Sequence, residues 1–208
     1  MTAHPIPRTA RLTPRQAARR SSILAATAEL ARSGGFDAVQ MRTVAERSGV
    51  ALGTVYRYFP SKIHLLVAVL GEQLEAMHRK LLRHPPDAED AGERVAQTLT
   101  RAFRSLRREP QLADAMVRAL TFADRSAGQE VAAASRLTTA VILDAMRLPG
   151  EPAPEQLSAV RVIEHTWLSL VVAWLSGRAS VDQVATDLAT ACRLVGERET
   201  GAVTPPTR

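Results

Sequence analysis

Cysteine, aromatic residues and long apolar runs are all scarce in this chain, and each scarcity removes a class of protein. Cys192 is the one cysteine in 208 residues. An intrachain disulfide and a zinc site built on several thiolates are therefore excluded. No apolar run reaches the ~18 residues that a membrane-spanning helix needs. The arginines near the N-terminus are not followed by a hydrophobic signal core. A cytoplasmic protein with no membrane partner is expected. The five histidines, His4, His64, His78, His84 and His165, form no His-x-x-x-His pair. No Gly-rich phosphate loop or nucleophile motif appears either, so no enzyme, metal site or cofactor is expected. His165 lies in an apolar helical pattern and reads as a core or pocket residue. Aromatic residues make up only 4%, and strand-like alternation of β-branched residues is hard to find. An all-α chain is the simplest reading, long enough for a small and a larger domain.

What is present in excess is positive charge, and it is unevenly placed. The formal net charge is +6, and residues 1–60 hold nine arginines against three acids, while basic and acidic residues balance in 61–208. A basic face attracts phosphate through screened Coulomb forces and counterion release. A membrane surface would also want a long stripe of bulky apolar residues, which the basic run lacks.

The same segment contains two short helical patterns that meet at Gly49. Met41, Val44 and Ala45 share one face of the first. The second, Leu52 to Phe59, is too short to be stable alone. It sets Val55 and Phe59 inward and Thr54, Tyr56, Arg57 and Tyr58 outward. Glycine at the joint permits the positive φ with which two helices cross sharply. Outward aromatic, hydroxyl and guanidinium groups on a short second helix suit a DNA groove.

Around this motif the chain is punctuated clearly. Residues 1–12, with Arg8 and Arg11, read as a disordered basic arm. Thr13-Pro14 offers an N-cap and a first-turn proline, and Ile23, Leu24, Thr27 and Leu30 form the inner stripe of a helix that Gly34-Gly35 stops. With Phe36, Val39, Met41, Val44, Val55 and Phe59 they make a three-helix unit over residues 13–60. That size is near the lower limit for independent stability, so support is expected from the next helix, which starts at Ser61 and ends at Pro85-Pro86. Further helices are expected at 89–108, 110–123, 127–147, 155–177 and 180–197, about nine in all, with Asp87, Ser126 and Ser180 where caps are wanted. They form a second domain over 61–200, and 201–208 reads as a disordered tail.

The run Gly53-Thr54-Val55-Tyr56-Arg57-Tyr58-Phe59-Pro60-Ser61-Lys62 resembles the TetR family of one-component transcriptional regulators. Ala38-Val39-Gln40-Met41-Arg42, Leu52, Leu112-Ala113-Asp114-Ala115-Met116, Phe122-Ala123-Asp124 and Val171-Val172-Ala173-Trp174-Leu175 resemble more closely the group within it that represses steroid (cholesterol) catabolism. The resemblance implies an N-terminal helix-turn-helix, a connecting fourth helix, and a helical domain for effector binding and dimerisation. By position it implies that Gln40 and Arg42 meet the DNA backbone. Leu52, Gly53, Thr54, Arg57 and Tyr58 then lie on the recognition helix, and Tyr56 and Lys62 hold phosphates. The chemistry agrees. Arg57 can present two donors to guanine O6 and N7, and Thr54 can meet a base edge or a thymine methyl. Tyr56, Tyr58 and Lys62 offer donors to phosphate, which set register.

In the second domain, Val160, Ile163, Trp167, Leu170 and Trp174 make one apolar stripe, and Leu168, Val172 and Leu175 another. A helix apolar on most faces is buried on most faces. An isologous homodimer is therefore expected through this helix and the last one, with Val160, Ile163, Leu168, Val172, Leu188 and Cys192 at the interface. Such a dimer would place two recognition helices on a palindromic operator. Candidates to line an effector cavity are Phe103, Leu106, Met116, Leu120, Phe122, Met146, Trp167 and Trp174, since Met and aromatic side chains adapt to irregular apolar ligands. The resemblance implies repression relieved by a steroid acyl-CoA thioester. A different apolar effector, a fatty acyl-CoA or a drug-like compound, is the first alternative. A ligand-independent architectural DNA-binding protein is the second, and the large, electrically balanced second domain speaks against it.

Overall fold

The structure, a computed structural model, describes residues 12–196; the arm and tail expected at the two ends lie outside them, apart from Leu12. The described residues contain nine α-helices, one 3-10 turn and no strand: α1 (Pro14–Ala38), α2 (Met41–Ser48), α3 (Leu52–Tyr58), α4 (Lys62–Arg83), α5 (Ala91–Arg108), α6 (Pro110–Thr121), the 3-10 turn Arg125–Ala127, α7 (Gly128–Met146), α8 (Pro154–Leu175) and α9 (Val181–Gly196). The all-α expectation holds.

Local chemistry accounts for most boundaries. Thr13 and Gln16 form a reciprocal capping box ahead of Pro14, satisfying two otherwise orphaned amides. The regular part of α1 ends where Gly34 and Gly35 leave helical geometry, Gly35 at φ 65°. Ser180 accepts from the Gln183 amide at 3.1 Å and starts α9. Two expected caps are displaced by better-placed carboxylates. Asp90, not Asp87, accepts from the Glu93 amide at 2.8 Å at the start of α5. Ser126 is itself capped, its amide (2.8 Å) and hydroxyl (2.5 Å) both donating to Asp124 Oδ1. Those bonds, the hydroxyl's first, hold the Asp124 carboxyl below its ordinary value.

The chain divides into two compact units that do not follow the expected boundary at residue 60. The first comprises residues up to 75 together with 106–136, the second 76–105 together with 137 onward. The first unit's core joins Ile23, Leu24 and Leu30 of α1, Val44 of α2 and Val55 of α3 to the first half of α4 (Leu65 to Val69) and to Leu112, Ala115, Met116 and Ala119 of α6. Support for the small three-helix motif thus comes from α6 as well as α4. Thr27, fully buried in the inner stripe, satisfies its hydroxyl on the Ile23 carbonyl at 2.8 Å.

The second unit is built on Val95 and Leu99 of α5, Val141, Ile142 and Met146 of α7, Val160 and Ile163 of α8, and Leu188 and Cys192 of α9. Gly92 lets α5 approach α9 closely: a Cβ there would stand 2.6 Å from the Cys192 carbonyl oxygen. Arg94 donates to the carbonyls of Ala145, Met146, Ala88 and Glu89, so one guanidinium closes the end of α7 and pins the segment before α5.

Candidate nucleic-acid interface

The sharp crossing of α2 and α3 depends on Gly49, which adopts φ 66°, ψ 22° as the left-handed cap of α2, its amide reaching the carbonyls of Ala45 and Glu46. The next amide, Val50, returns to the Ala45 carbonyl at 3.1 Å, a Schellman-like closure. Three residues on, α3 starts with the Ala51 carbonyl accepting from Thr54 and Val55. Val55 and Phe59 are buried and anchor α3 on its unit, as the alternation predicts.

The outward set divides. Tyr56 is 47% exposed and Leu52 37%; Gln40, Arg42 and Gly53 are also exposed. A Cβ on Gly53 would meet nothing within 4 Å, so this stretch of backbone is open to close approach. Thr54, Arg57 and Tyr58, expected to project, are only half exposed. The Arg57 guanidinium carbon lies 6.0 Å from the centre of the Tyr58 ring, and that ring packs against the first unit's core. Lys62, at the start of α4, is held with Nζ 3.9 Å from the Phe36 ring centre, and Arg118 of α6 lies 5.8 Å from the same ring. A lysine held by an aromatic face keeps donors for a phosphate. Both tyrosines of the chain fall on the seven residues of α3.

Two supporting residues were not singled out from the sequence. Arg20 of α1 places its guanidinium carbon 5.6 Å from the ring centre of Phe59, the C-cap of α3, and its NH1 3.4 Å from Glu72 of α4. It joins three helices at the end of α3. His64 is buried and bonded at both nitrogens, with Nδ1 2.9 Å from the Ser61 hydroxyl and Nε2 3.2 Å from the Ser126 carbonyl. A carbonyl only accepts, so Nε2 is the donor in the bond to Ser126. The Ser61-x-x-His64 spacing at a helix start is the one sequence signal that pointed to it.

In the second unit, three of the eight effector candidates come together. The Phe103 ring centre is 5.1 Å from Trp174 and 6.3 Å from Trp167, both edge-on. Met146 is buried in that unit's core. The other four belong to the first unit, where Met116 is core, Leu106 packs against that core, Leu120 is half-buried and Phe122 is 64% exposed beside Phe36. The dimer candidates need correction. Val160, Ile163, Leu188 and Cys192 are at most 2% exposed within one chain; they are spent on their own core and leave no surface for a second copy. Burial also pushes the Cys192 thiol up to about 12. Leu168 and Val172 stay half-buried, and among the residues of these two helices whose burial is described, the exposed large apolar ones are Val162 and Leu194.

No described helix is long and apolar enough to cross a membrane. The described residues contain no group of three or more His, Cys, Asp or Glu side chains able to hold a metal ion.

Comparison with known proteins fits this geometry. The family described as bacterial regulatory proteins, tetR family, matches residues 23–69, and the tetracyclin repressor-like C-terminal domain matches residues 88–195. The HTH-type transcriptional repressor KstR of Rhodococcus jostii (strain RHA1) is 46% identical over 173 residues, 83% of this chain and 80% of that protein. The repressor of the same name from Mycobacterium tuberculosis (strain ATCC 25618 / H37Rv) is 42% identical over 185 residues, 88% of this chain and 84% of its own. The chain belongs to the TetR family. It is a DNA-binding transcriptional repressor of that type rather than an enzyme. A TetR transcriptional regulator from Rhodococcus sp. RHA1 has a solved structure that superposes with a TM-score of 0.82 at 35% identity, covering 87% of this chain and 97% of that one. The Thermus thermophilus TetR-family repressor FadR, solved in complex with lauroyl-CoA, shares the fold at a TM-score of 0.69 and 21% identity, covering 91% and 99% of the two chains.

Within the TetR family, α2 and α3 are the helix-turn-helix. The two residues that sequence reasoning missed, Arg20 and His64, act on either side of it. The contacts of Arg20 with Phe59 and Glu72, and of His64 with Ser126, reach far along the chain, so only the partners' positions reveal them.

Proposed function

We propose that this repressor controls genes of steroid catabolism and leaves its operator when a steroid acyl-CoA thioester binds. The observation that carries the reading is the 42–46% identity to KstR repressors over most of both chains, the type that the residues at 38–42, 52–62, 112–116, 122–124 and 171–175 resemble. The aromatic group of Phe103, Trp167 and Trp174 supports an apolar ligand, since flat rings meet a fused-ring body over large areas. The exposed Arg104 of α5, in the same unit, supplies a cation for the phosphates of coenzyme A. That the TetR fold can take an acyl-CoA is seen in FadR with lauroyl-CoA.

The protein acts as an isologous homodimer through outward-facing residues of α8 and α9, with Val162 and Leu194 as the exposed apolar anchors. Pairing brings two copies of α3 to successive major grooves, ~34–36 Å apart, on a palindromic site. There Arg42, Tyr56 and Lys62 fix register on phosphates, and Thr54 and Arg57 read bases. Effector binding shifts the population toward an arrangement of α4 that fits DNA poorly. A coupling of ~1–3 kcal/mol changes operator affinity about 5–150-fold, and DNA weakens effector binding by the same factor.

The chain's two tryptophans are both in the aromatic group, so their emission reports on it. Titration with a steroid acyl-CoA is expected to change that emission and release the operator in a mobility-shift assay, while free coenzyme A does neither. Response to a fatty acyl-CoA alone would replace the steroid reading with the first alternative, and no response to any thioester would end the acyl-CoA reading.

A further inference from the structure

Among the described residues, two buried side-chain polar atoms lack any hydrogen-bond partner: Nε of Arg57 and the hydroxyl of Tyr58. They are neighbours on α3. The Arg57 guanidinium lies against the Tyr58 ring. That ring rests on the first unit's core, its centre 6.4 Å from that of Phe59. Both side chains are therefore drawn back toward their own unit, while Leu52, Gly53 and Tyr56 on the same helix stay exposed.

A buried donor without a partner has lost its water and gained nothing in return, and native proteins hold few such groups. Two adjacent ones on a helix of seven residues, the helix that meets DNA, call for a common cause. We infer that Arg57 and Tyr58 are retracted in the free repressor and complete their hydrogen bonds only on the operator, Arg57 on a base edge and Tyr58 on a phosphate oxygen. The inference rests on the DNA-binding role of α3 and adds a second stage to it. The exposed groups, Tyr56, Arg42 and the Phe36-held Lys62, dock on any duplex. Arg57 and Tyr58 come out only where the groove offers acceptors that repay the loss of their packing. Folding stability and operator affinity are then opposed at these two positions, and discrimination between sequences lies in the second stage.

The test uses the full chain with Tyr58→Phe, which keeps the ring and removes the unpaired hydroxyl. Its Tm is expected to rise by about 2–4 °C. Its operator affinity is expected to fall about tenfold, and by more than its affinity for an unrelated duplex at low salt. A lower Tm would mean that the hydroxyl is bonded in the free protein, and unchanged operator affinity would mean that DNA never takes it; either result overturns the inference. Arg57→Met retains an apolar stem over Tyr58, and should keep Tm at or above the wild-type value while operator binding drops to the level of unrelated DNA. If instead binding to both duplexes falls equally and the salt slope decreases by about 1, Arg57 is a standing phosphate contact and the two-stage scheme fails. A wild-type chain that binds no duplex would overturn the DNA-binding role itself, and the Tm comparisons, made without DNA, keep that failure distinct.

Discussion

Gly49 and Gly53 stand four residues apart and answer to different forces. Gly49 is needed for its backbone, at φ 66°, where an L side chain is strained whatever space surrounds it. Gly49→Ala is expected to destabilise the protein by about 1–2 kcal/mol and to weaken operator binding by disturbing the angle of α3. Gly53 sits in a helix with open space around its Cα. Gly53→Ala should therefore stabilise the free protein by about 0.5–1 kcal/mol, while its methyl group holds the backbone away from DNA and lowers operator affinity. Urea midpoints and operator Kd values for the pair check both signs. Stabilisation by Ala at 49 would refute the conformational account, and unchanged operator binding at 53 would show that α3 keeps its distance there. The motif made Gly49 legible because a joint between two short apolar faces has few other solutions. The retraction of Arg57 and Tyr58 was not legible, since it depends on a core assembled from distant segments.

Between elements, the meeting of α1, α3 and α4 at Arg20 concerns charge as well as packing. Burial raises the Glu72 carboxyl above its ordinary 4.5; Arg20 opposes that shift, and Glu75 adds to it. A carboxyl raised by folding holds its proton more tightly in the folded than in the unfolded chain. Its contribution to stability is thus greatest below the unfolded value and is lost as pH rises through the folded one. Glu72→Gln lacks that loss. The Tm difference between variant and wild type should move in the variant's favour as pH rises from about 4.5 through the weakly acidic range, then level off. Calorimetry at a series of pH values measures it, and a pH-independent difference would mean that Glu72 titrates as it does in the unfolded chain. Helix starts and stops were readable from Thr13, Pro14, Gly34 and Ser180 because caps act within one turn. At α5 two carboxylates, Asp87 and Asp90, compete for the same role, and Asp90, directly before the first helical residue, takes the Glu93 amide.

At the scale of the whole molecule, the proposed dimer makes the clearest demand. Val162 of α8 is 52% exposed and Leu194 of α9 60%, large apolar surface on the two helices assigned to pairing. Val162→Lys should leave the monomer folded, because that side chain contributes little to its own core. It should weaken the dimer by leaving a charge in a dry contact, and operator affinity should fall steeply as the two recognition helices separate. Sedimentation and operator binding, measured on the same samples, test this together. A variant that stays dimeric and binds normally would place the interface elsewhere. The steep fall is expected only for the specific site. Binding to unrelated DNA draws on the local excess of arginine in residues 1–60 and should stay salt-sensitive in either state.

The sequence by itself determined the class of fold, nearly every helix boundary and the two-helix motif, because helix period, capping and glycine geometry act over a few residues. It also placed the positive charge, since net charge is a property of composition. Only the tertiary structure decided which apolar faces are spent inside the chain. Val160, Ile163, Leu188 and Cys192 look the same in a periodic pattern whether they meet their own core or a second copy. Likewise, only the packing of α6 and the first half of α4 onto α1 shows that the DNA-binding unit is larger than its motif, because burial depends on partners far away along the chain.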